Sequence, residues 1–370
     1  MKIVVFGLSI SSSWGNGHAT LWRGLCRGLV KLGHRPVFFE RDVPYYAAHR
    51  DYDELPGGLL YVYPDWESAL PRARVELSDA DVAMVTSYCP DGAAASELVL
   101  LSNVPVRAFY DLDTPVTLDR LRSGQTVDYL PSRGLRDFDI VLSYTGGAAL
   151  SELRGRLGAR RVEPLYGSVD PLVHKPVEPL AGDGADRPYD LSYLGTYAED
   201  RQQGVNDLFI EPARRMPARR FLLGGASYGG SFPWTDNIFF QHHIAPAGHT
   251  AFYCSADLTL NVTRRAMREM GCCPSGRLFE AAACGVAAIS DAWEGLDRFF
   301  TPGSEILIAH GPQDVIDALE MPHQQRKKLG SAARERTLAE HTSDKRAIEM
   351  EALLQSVYSM NSRSAEEVEA

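Results

Sequence analysis

At 370 residues the chain is longer than a single hydrophobic core usually serves, so two domains of roughly 150–200 residues are expected. Its 45% hydrophobic and 23% charged residues suit a soluble globular protein, and a formal charge of −10 argues against a nucleic-acid or anionic-membrane partner. No apolar run approaches the ~18 residues of a membrane span, and the six scattered cysteines have no CxxC or zinc spacing, which points to reduced thiols in a cytoplasmic protein.

The run IVVFG (3–7) reads as a buried first strand and not as a signal peptide, because it breaks into Ser11, Ser12 and Ser13 without a cleavage pattern. The turn WGNGHAT (14–20) follows. Gly15 and Gly17, on either side of Asn16, permit close backbone approach, and a helix starting near His18 offers its free N–H groups. The turn is not the dinucleotide fingerprint, since Thr20 stands where a third glycine is needed, although Glu40 lies at about the distance of that motif's acidic residue. A tight strand–helix connection accounts for the same residues. His18 has the chemistry of a general base, or is simply structural at the helix start. The helix itself spans about Gly17 to Leu32, with Leu21, Leu25, Leu29 and Leu32 on one face and Arg23, Arg27 and Lys31 on the other. PVFFE (36–40), VAMVTS (82–87), VRAFYDLD (106–113), DIVLSYTG (139–146) and RVEPLYG (161–167) then alternate with helical segments, the rhythm of a parallel, doubly wound sheet. Within YDLDTP (110–115), Asp111 and Asp113 form a D-x-D at a strand end. Such a pair suits a divalent metal, a base facing a cleft, or solvated loop carboxylates, and D-A-D (79–81) and D-F-D (137–139) show how common the spacing is here.

Four prolines and no periodicity mark 171–188 as a linker between an acceptor domain at 1–170 and a second domain at 189–344. The rhythm restarts with DLSYLG (190–195), RFLLGG (220–225), DLTLNVT (257–263), VAAIS (286–290) and EILIA (305–309). In LGTYAEDR (194–201), Gly195 and Thr196 end a strand and Arg201 opens a helix; in NVTRR (261–265), Arg264 and Arg265 follow another strand. His242, His243 and His249 are close in sequence, but their spacing fits no metal set. SGRLFEAAACG (275–285) carries the strongest signal. Ser275 can cap a helix, yet Arg277 places a cation in the first turn, the end where it is disfavoured. An anion held between Gly276, Arg277 and the helix start resolves that conflict, with Glu280 one turn on to accept hydroxyls; a surface Arg277–Glu280 pair is the plainer explanation. A helix at about 345–358 is expected to pack back on the first domain, and 359–370 to be disordered.

The GHATLWRGLCRGLVKLGHRP stretch after the Gly-rich turn resembles the N-terminal entrance of GT-B glycosyltransferases. DLTLNVTR, with PSGRLFEAAACGVAAISDAWEGLDRFFTPGSEILIA, resembles the donor-binding region of the spore-maturation CgeB-like glycosyltransferases, relatives of glycosyltransferase family 4. The resemblance implies an α/β GT-B fold of two Rossmann-like, doubly wound domains facing a central cleft. It implies a nucleoside diphosphate-sugar as co-substrate and a small-molecule, glycan or protein acceptor, with no metal and no other cofactor required. By the same resemblance Glu280 holds the ribose hydroxyls; Ser275, Gly276, Arg277 and Arg264 meet the diphosphate, beside Gly195, Thr196 and Arg201. His18 or Asp111 activates the acceptor, near the Gly15–Asn16–Gly17 loop. Three positions depart from family 4: Cys272 where a Glu stands, Thr196 where an Arg is usual, and Gln203 near an expected Lys. These departures leave the stereochemistry open, and those at Cys272 and Thr196 keep open a non-catalytic sugar- or nucleotide-binding protein; a nucleotide-sugar epimerase or hydrolase on the same fold is a second enzymatic reading.

Overall fold

The computed structural model describes residues 1–177 and 187–369, with side chains as far as Ser362. The chain divides into two compact units: Met1–Gly167 with Ser343–Ala370, and Ser168–Thr342. Part of the stretch read as a linker, 178–186, lies outside the described residues.

Unit 1 is built on a seven-stranded parallel sheet: β1 (Lys2–Gly7), β2 (Arg35–Arg41), β3 (Leu59–Tyr63), β4 (Val82–Thr86), β5 (Val106–Asp111), β6 (Ile140–Ser143) and β7 (Val162–Pro164), in the order β3-β2-β1-β4-β5-β6-β7. Its central strands are apolar on both faces because helices cover both. Val4 and Phe6 of β1 enter one core with Phe39 and Val85, while Ile3 and Val5 enter the other with Trp22 and Leu25. The strand order reverses between β1 and β4, the switch point where doubly wound sheets place ligands.

The helix Gly17–Lys31 lies on the second of these cores, and the C-terminal helix packs against it through Ala347, Met350, Leu354 and Val357. Gly28 makes that approach possible: a Cβ there would lie 2.7 Å from the Ala347 Cβ and 3.0 Å from the Ser343 carbonyl oxygen. Gly28→Val is therefore expected to cost about 1–3 kcal/mol through overpacking, read as a lower urea midpoint. The C-terminal helix begins at Ser343 and runs to Glu369, through positions expected to be disordered. No Gly or Pro interrupts that stretch, and Asn361 anchors it by donating to the Pro105 carbonyl at 2.8 Å.

Unit 2 repeats the plan with six parallel strands: β8 (Tyr189–Leu194), β9 (Phe221–Gly225), β10 (Ile238–His242), β11 (Ala256–Asn261), β12 (Ala287–Asp291) and β13 (Leu307–Ala309), in the order β10-β9-β8-β11-β12-β13. Its switch point lies between β8 and β11. Leu191, Tyr193, Leu223 and Leu258 fill one face; Leu222, Phe252 and Ala281 fill the other. The helical stretch after Arg201 widens to a π-helical turn over Asn206–Ile210. Among the described residues no helix is long and apolar enough to cross a membrane, and all six cysteines are buried and free.

Candidate functional site

On unit 1 the loop after β1 is organised by a single carboxylate. Glu40, at the end of β2, is fully buried and accepts from Ser9 Oγ (2.9 Å), Ile10 N (2.8 Å), Ser11 N (2.9 Å) and Ser11 Oγ (2.5 Å). It is thus consumed inside the loop and is not the ribose-binding acid of a dinucleotide fold. Asn16 caps the following helix, accepting from His18 N at 3.1 Å while its amide donates to the carbonyls of Ser9 and Ser12. Gly15, at φ +58°, and Gly17 are exposed beside it.

His18 is half-buried with Nδ1 enclosed and unpartnered among the described residues, its ring set edge-on to Tyr88 at 5.6 Å. Burial lowers its pKa to about 4, so the imidazole is neutral at physiological pH. Asp111, at the end of β5, is fully buried. Burial raises its carboxyl to about 6, against the pull of the Asp113 amide and the hydroxyls of Thr117 and Ser87. Asp113 is engaged differently, accepting from the Tyr88 hydroxyl at 3.1 Å. Tyr88 therefore links His18 to the D-x-D. Nothing in its sequence context announced this role, which depends on a left-handed backbone (φ +62°) just beyond β4.

On unit 2 the residues singled out from β8, β11 and the 276–283 helix converge. Gly195 continues β8, and its closeness to Arg277 is tight: a Cβ would lie 2.7 Å from Arg277 Nη1. Arg277 Nη1 donates to the Leu194 carbonyl and Nε to Ser275 Oγ at 3.1 Å. Ser275 does stand at the N-cap position, but its hydroxyl serves Arg277 and makes no cap hydrogen bond, so the amides at Gly276 and beyond keep their pull on an anion. Arg201 is buried, donates to the Thr196 carbonyl and, among the described residues, has an unpartnered Nε. Burial depresses its pKa first, and the like charges of Arg277 and Arg264 add to that. Arg264 pairs with Asp200 at 3.0 Å, and Thr196 is exposed. Among the described residues neither Arg201 nor Arg277 has a carboxylate within ion-pair distance, an arrangement costly without an anion.

Glu280 faces a different set. Its Oε2 accepts from the Tyr253 hydroxyl at 3.0 Å and lies 3.5 Å from His249 Nδ1. Burial alone would raise its pKa; His174, His249 and the Tyr253 hydroxyl outweigh that and lower it to about 2. A surface Arg277–Glu280 pair does not form. Cys272 is buried in a left-handed conformation (φ +45°), its N–H bound to the Glu294 carbonyl at 2.6 Å and its sulfur packed on Gly295, so no carboxylate stands at this position. The histidine that joins His249 is His174, not His242 or His243.

Residues 201–352, which contain Arg264, Arg277 and Glu280, match the family model of glycosyl transferase-like proteins. No curated protein is detectably similar in sequence. Among solved structures, sucrose-phosphate synthase from Thermosynechococcus elongatus superposes with a TM-score of 0.71 at 14% identity, covering 97% of this chain and all of that one. The Anabaena protein HepE, solved with UDP and glucose, gives 0.64 at 12% identity over 96% of this chain and 100% of its own. An alpha-glucosyltransferase solved with UDP-glucose and DNA gives 0.66 at 10% over 96% and 99%. At these identities the likeness establishes the architecture: the chain has the GT-B fold of two Rossmann-like domains, glycosyl transferase-like in sequence over 201–352.

Proposed function

We propose that the protein is a glycosyltransferase of the CgeB-like kind, related to family 4, moving a hexosyl group from a nucleoside diphosphate-sugar to an acceptor hydroxyl in the cytoplasm. The observation that carries this reading is the pair of carboxylate-free guanidiniums, Arg201 and Arg277, beside a helix start with unclaimed amides. That arrangement suits a leaving diphosphate, whose developing charge Arg264 also meets, with no metal needed at the phosphates. Gly195 and Thr196 supply the slim strand end over which the phosphates pass, and Ser275 and Gly276 the backbone. Glu280 offers its second carboxylate oxygen to the ribose. The family match and the UDP and UDP-glucose named for the similar structures support a uridine nucleotide as the first donor to try.

Screening UDP-glucose and other nucleotide sugars by thermal shift tests the donor reading. Saturation at a hundredfold excess over Kd adds about 2.7 kcal/mol, expected to raise the melting temperature by roughly 5–10 °C. A shift with a nicotinamide dinucleotide and with no nucleotide sugar overturns the proposal.

On unit 1 the Gly15–Asn16–Gly17 loop is assigned to the acceptor and Asp111 to its activation. A base must be unprotonated to act. With Asp111 raised to about 6, kcat/KM is expected to fall as pH drops through about 6 and to be level above it. His18, lowered to about 4, is neutral throughout that range and adds no limb. A single limb near 4 in the pH–rate profile transfers the role to His18.

A further inference from the structure

Three side chains distant in sequence meet on unit 2. His174 comes from the turn after Asp170, His249 from the helix Pro246–Cys254 and Glu280 from the helix Gly276–Ala283. Their ligand atoms all lie within 4.8 Å of one another. His174 is 1% exposed, and among the described residues neither ring nitrogen has a hydrogen-bond partner. Leaving such buried groups unsatisfied is costly, so their isolation calls for a missing partner.

The His249 ring is set by its far side. Its Nε2–H donates to the Ile244 carbonyl at 3.2 Å, so Nδ1 is the nitrogen turned to Glu280, with its lone pair free for an ion when the ring is neutral. Nδ1 and the carboxylate Oε2 then face each other at 3.5 Å, and among the described residues Nδ1 makes no hydrogen bond. A charge-assisted hydrogen bond between them would close to about 2.7–2.9 Å. Two ligands on a tetrahedral ion with bonds of about 2.0–2.1 Å stand roughly 3.3–3.4 Å apart, close to what is found.

We propose that His174, His249 and Glu280 form a binding site for a divalent transition-metal ion, Zn²⁺ by preference, with a fourth position open to water or a ligand. Two imidazoles and one carboxylate favour zinc over magnesium or calcium, which take oxygen ligands. The supporting contacts are those of a built site. The Tyr253 hydroxyl orients the carboxylate at 3.0 Å, the Ile244 carbonyl orients His249, and Thr250 Oγ1 donates to the Val173 carbonyl at 2.9 Å, pinning the turn that carries His174 to the helix that carries His249. The ion fixes Glu280 one helical turn beyond Arg277 and leaves the diphosphate to the arginines. This inference goes beyond sugar transfer and stands whether or not the chain transfers sugar.

The test is metal binding to the full chain after treatment with a chelator. Titration with Zn²⁺ in competition with a chromophoric chelator is expected to give one equivalent with Kd below roughly 1 µM. Co²⁺ in its place is expected to show the intense visible absorption of a four-coordinate ion. His174→Gln and His249→Gln should each weaken Zn²⁺ binding at least about tenfold while keeping the far-ultraviolet circular dichroism of the parent. Absence of a stoichiometric site, tight binding that survives both substitutions, or a Co²⁺ spectrum like that of the free hexaaquo ion overturns the proposal. If either variant fails to fold, the Co²⁺ spectrum of the unsubstituted protein decides.

Discussion

Arg277→Ala is expected to weaken UDP binding by about 10–100-fold, the 1.5–3 kcal/mol of charge-assisted hydrogen bonds lost from a diphosphate. The guanidinium is held in place before any ligand arrives: Nε rests on Ser275 Oγ, Nη1 on the Leu194 carbonyl, and Gly195 leaves it room. Such pre-organisation spares the ordering cost of a free arginine, which makes the loss on truncation larger than at a surface residue. Arg277→Lys should recover only part of the affinity, because an ammonium cannot hold two carbonyl or hydroxyl partners and present a planar fork at once. Titration calorimetry with UDP reads both variants, and a melting curve shows whether the fold is intact. Unchanged affinity for Arg277→Ala removes the diphosphate from this helix start.

Glu40→Ala is expected to be among the most destabilising single changes on unit 1, about 3 kcal/mol by urea unfolding. One carboxylate satisfies two backbone amides and two hydroxyls in a fully buried loop, and without it these donors lose their acceptor together. Glu40→Gln should be only somewhat milder, since its amide turns a donor toward donors. Hydrogen exchange at Ile10 and Ser11 should accelerate in both variants before the rest of β1 and β2 responds. A loss confined to the global midpoint, with those two amides still protected, contradicts the role given to Glu40.

The βαβ rhythm was plain in the sequence because central parallel strands are apolar on both faces, as in β1, β4 and β11. Leu59–Tyr63 and Ile238–His242 are less legible. Their short apolar runs, LLYVY and IFF, cannot be told from pieces of helix by periodicity, and only the structure shows them as half-exposed edge strands. The arginine at 277 stood out because a cation conflicts with the helix dipole, a conflict visible in one dimension. What Ser275 does with its hydroxyl was not visible, since Arg277 Nε competes for it only once the side chain folds back. Glu40 stands at about the spacing of a dinucleotide motif's acidic residue, and only the path of the Ser9–Ser11 loop shows where its oxygens are spent. The gathering of 174, 249 and 280 has no local signature, because three separate elements supply one residue each.

The first unit is interrupted in the chain by the whole of the second, and this sets an order of events during synthesis. All of Ser168–Thr342 has been made before Ser343 emerges, yet the first unit still lacks Ala347, Met350, Leu354 and Val357 from one of its two cores. The later-made unit is thus the earlier one able to finish, while the face of the 17–31 helix around Gly28 waits uncovered, a surface that invites chaperones. A chain ending at Thr342 should keep slow hydrogen exchange in β8–β12 and lose it across residues 17–31; equal protection of both regions would count against this sequence of completion.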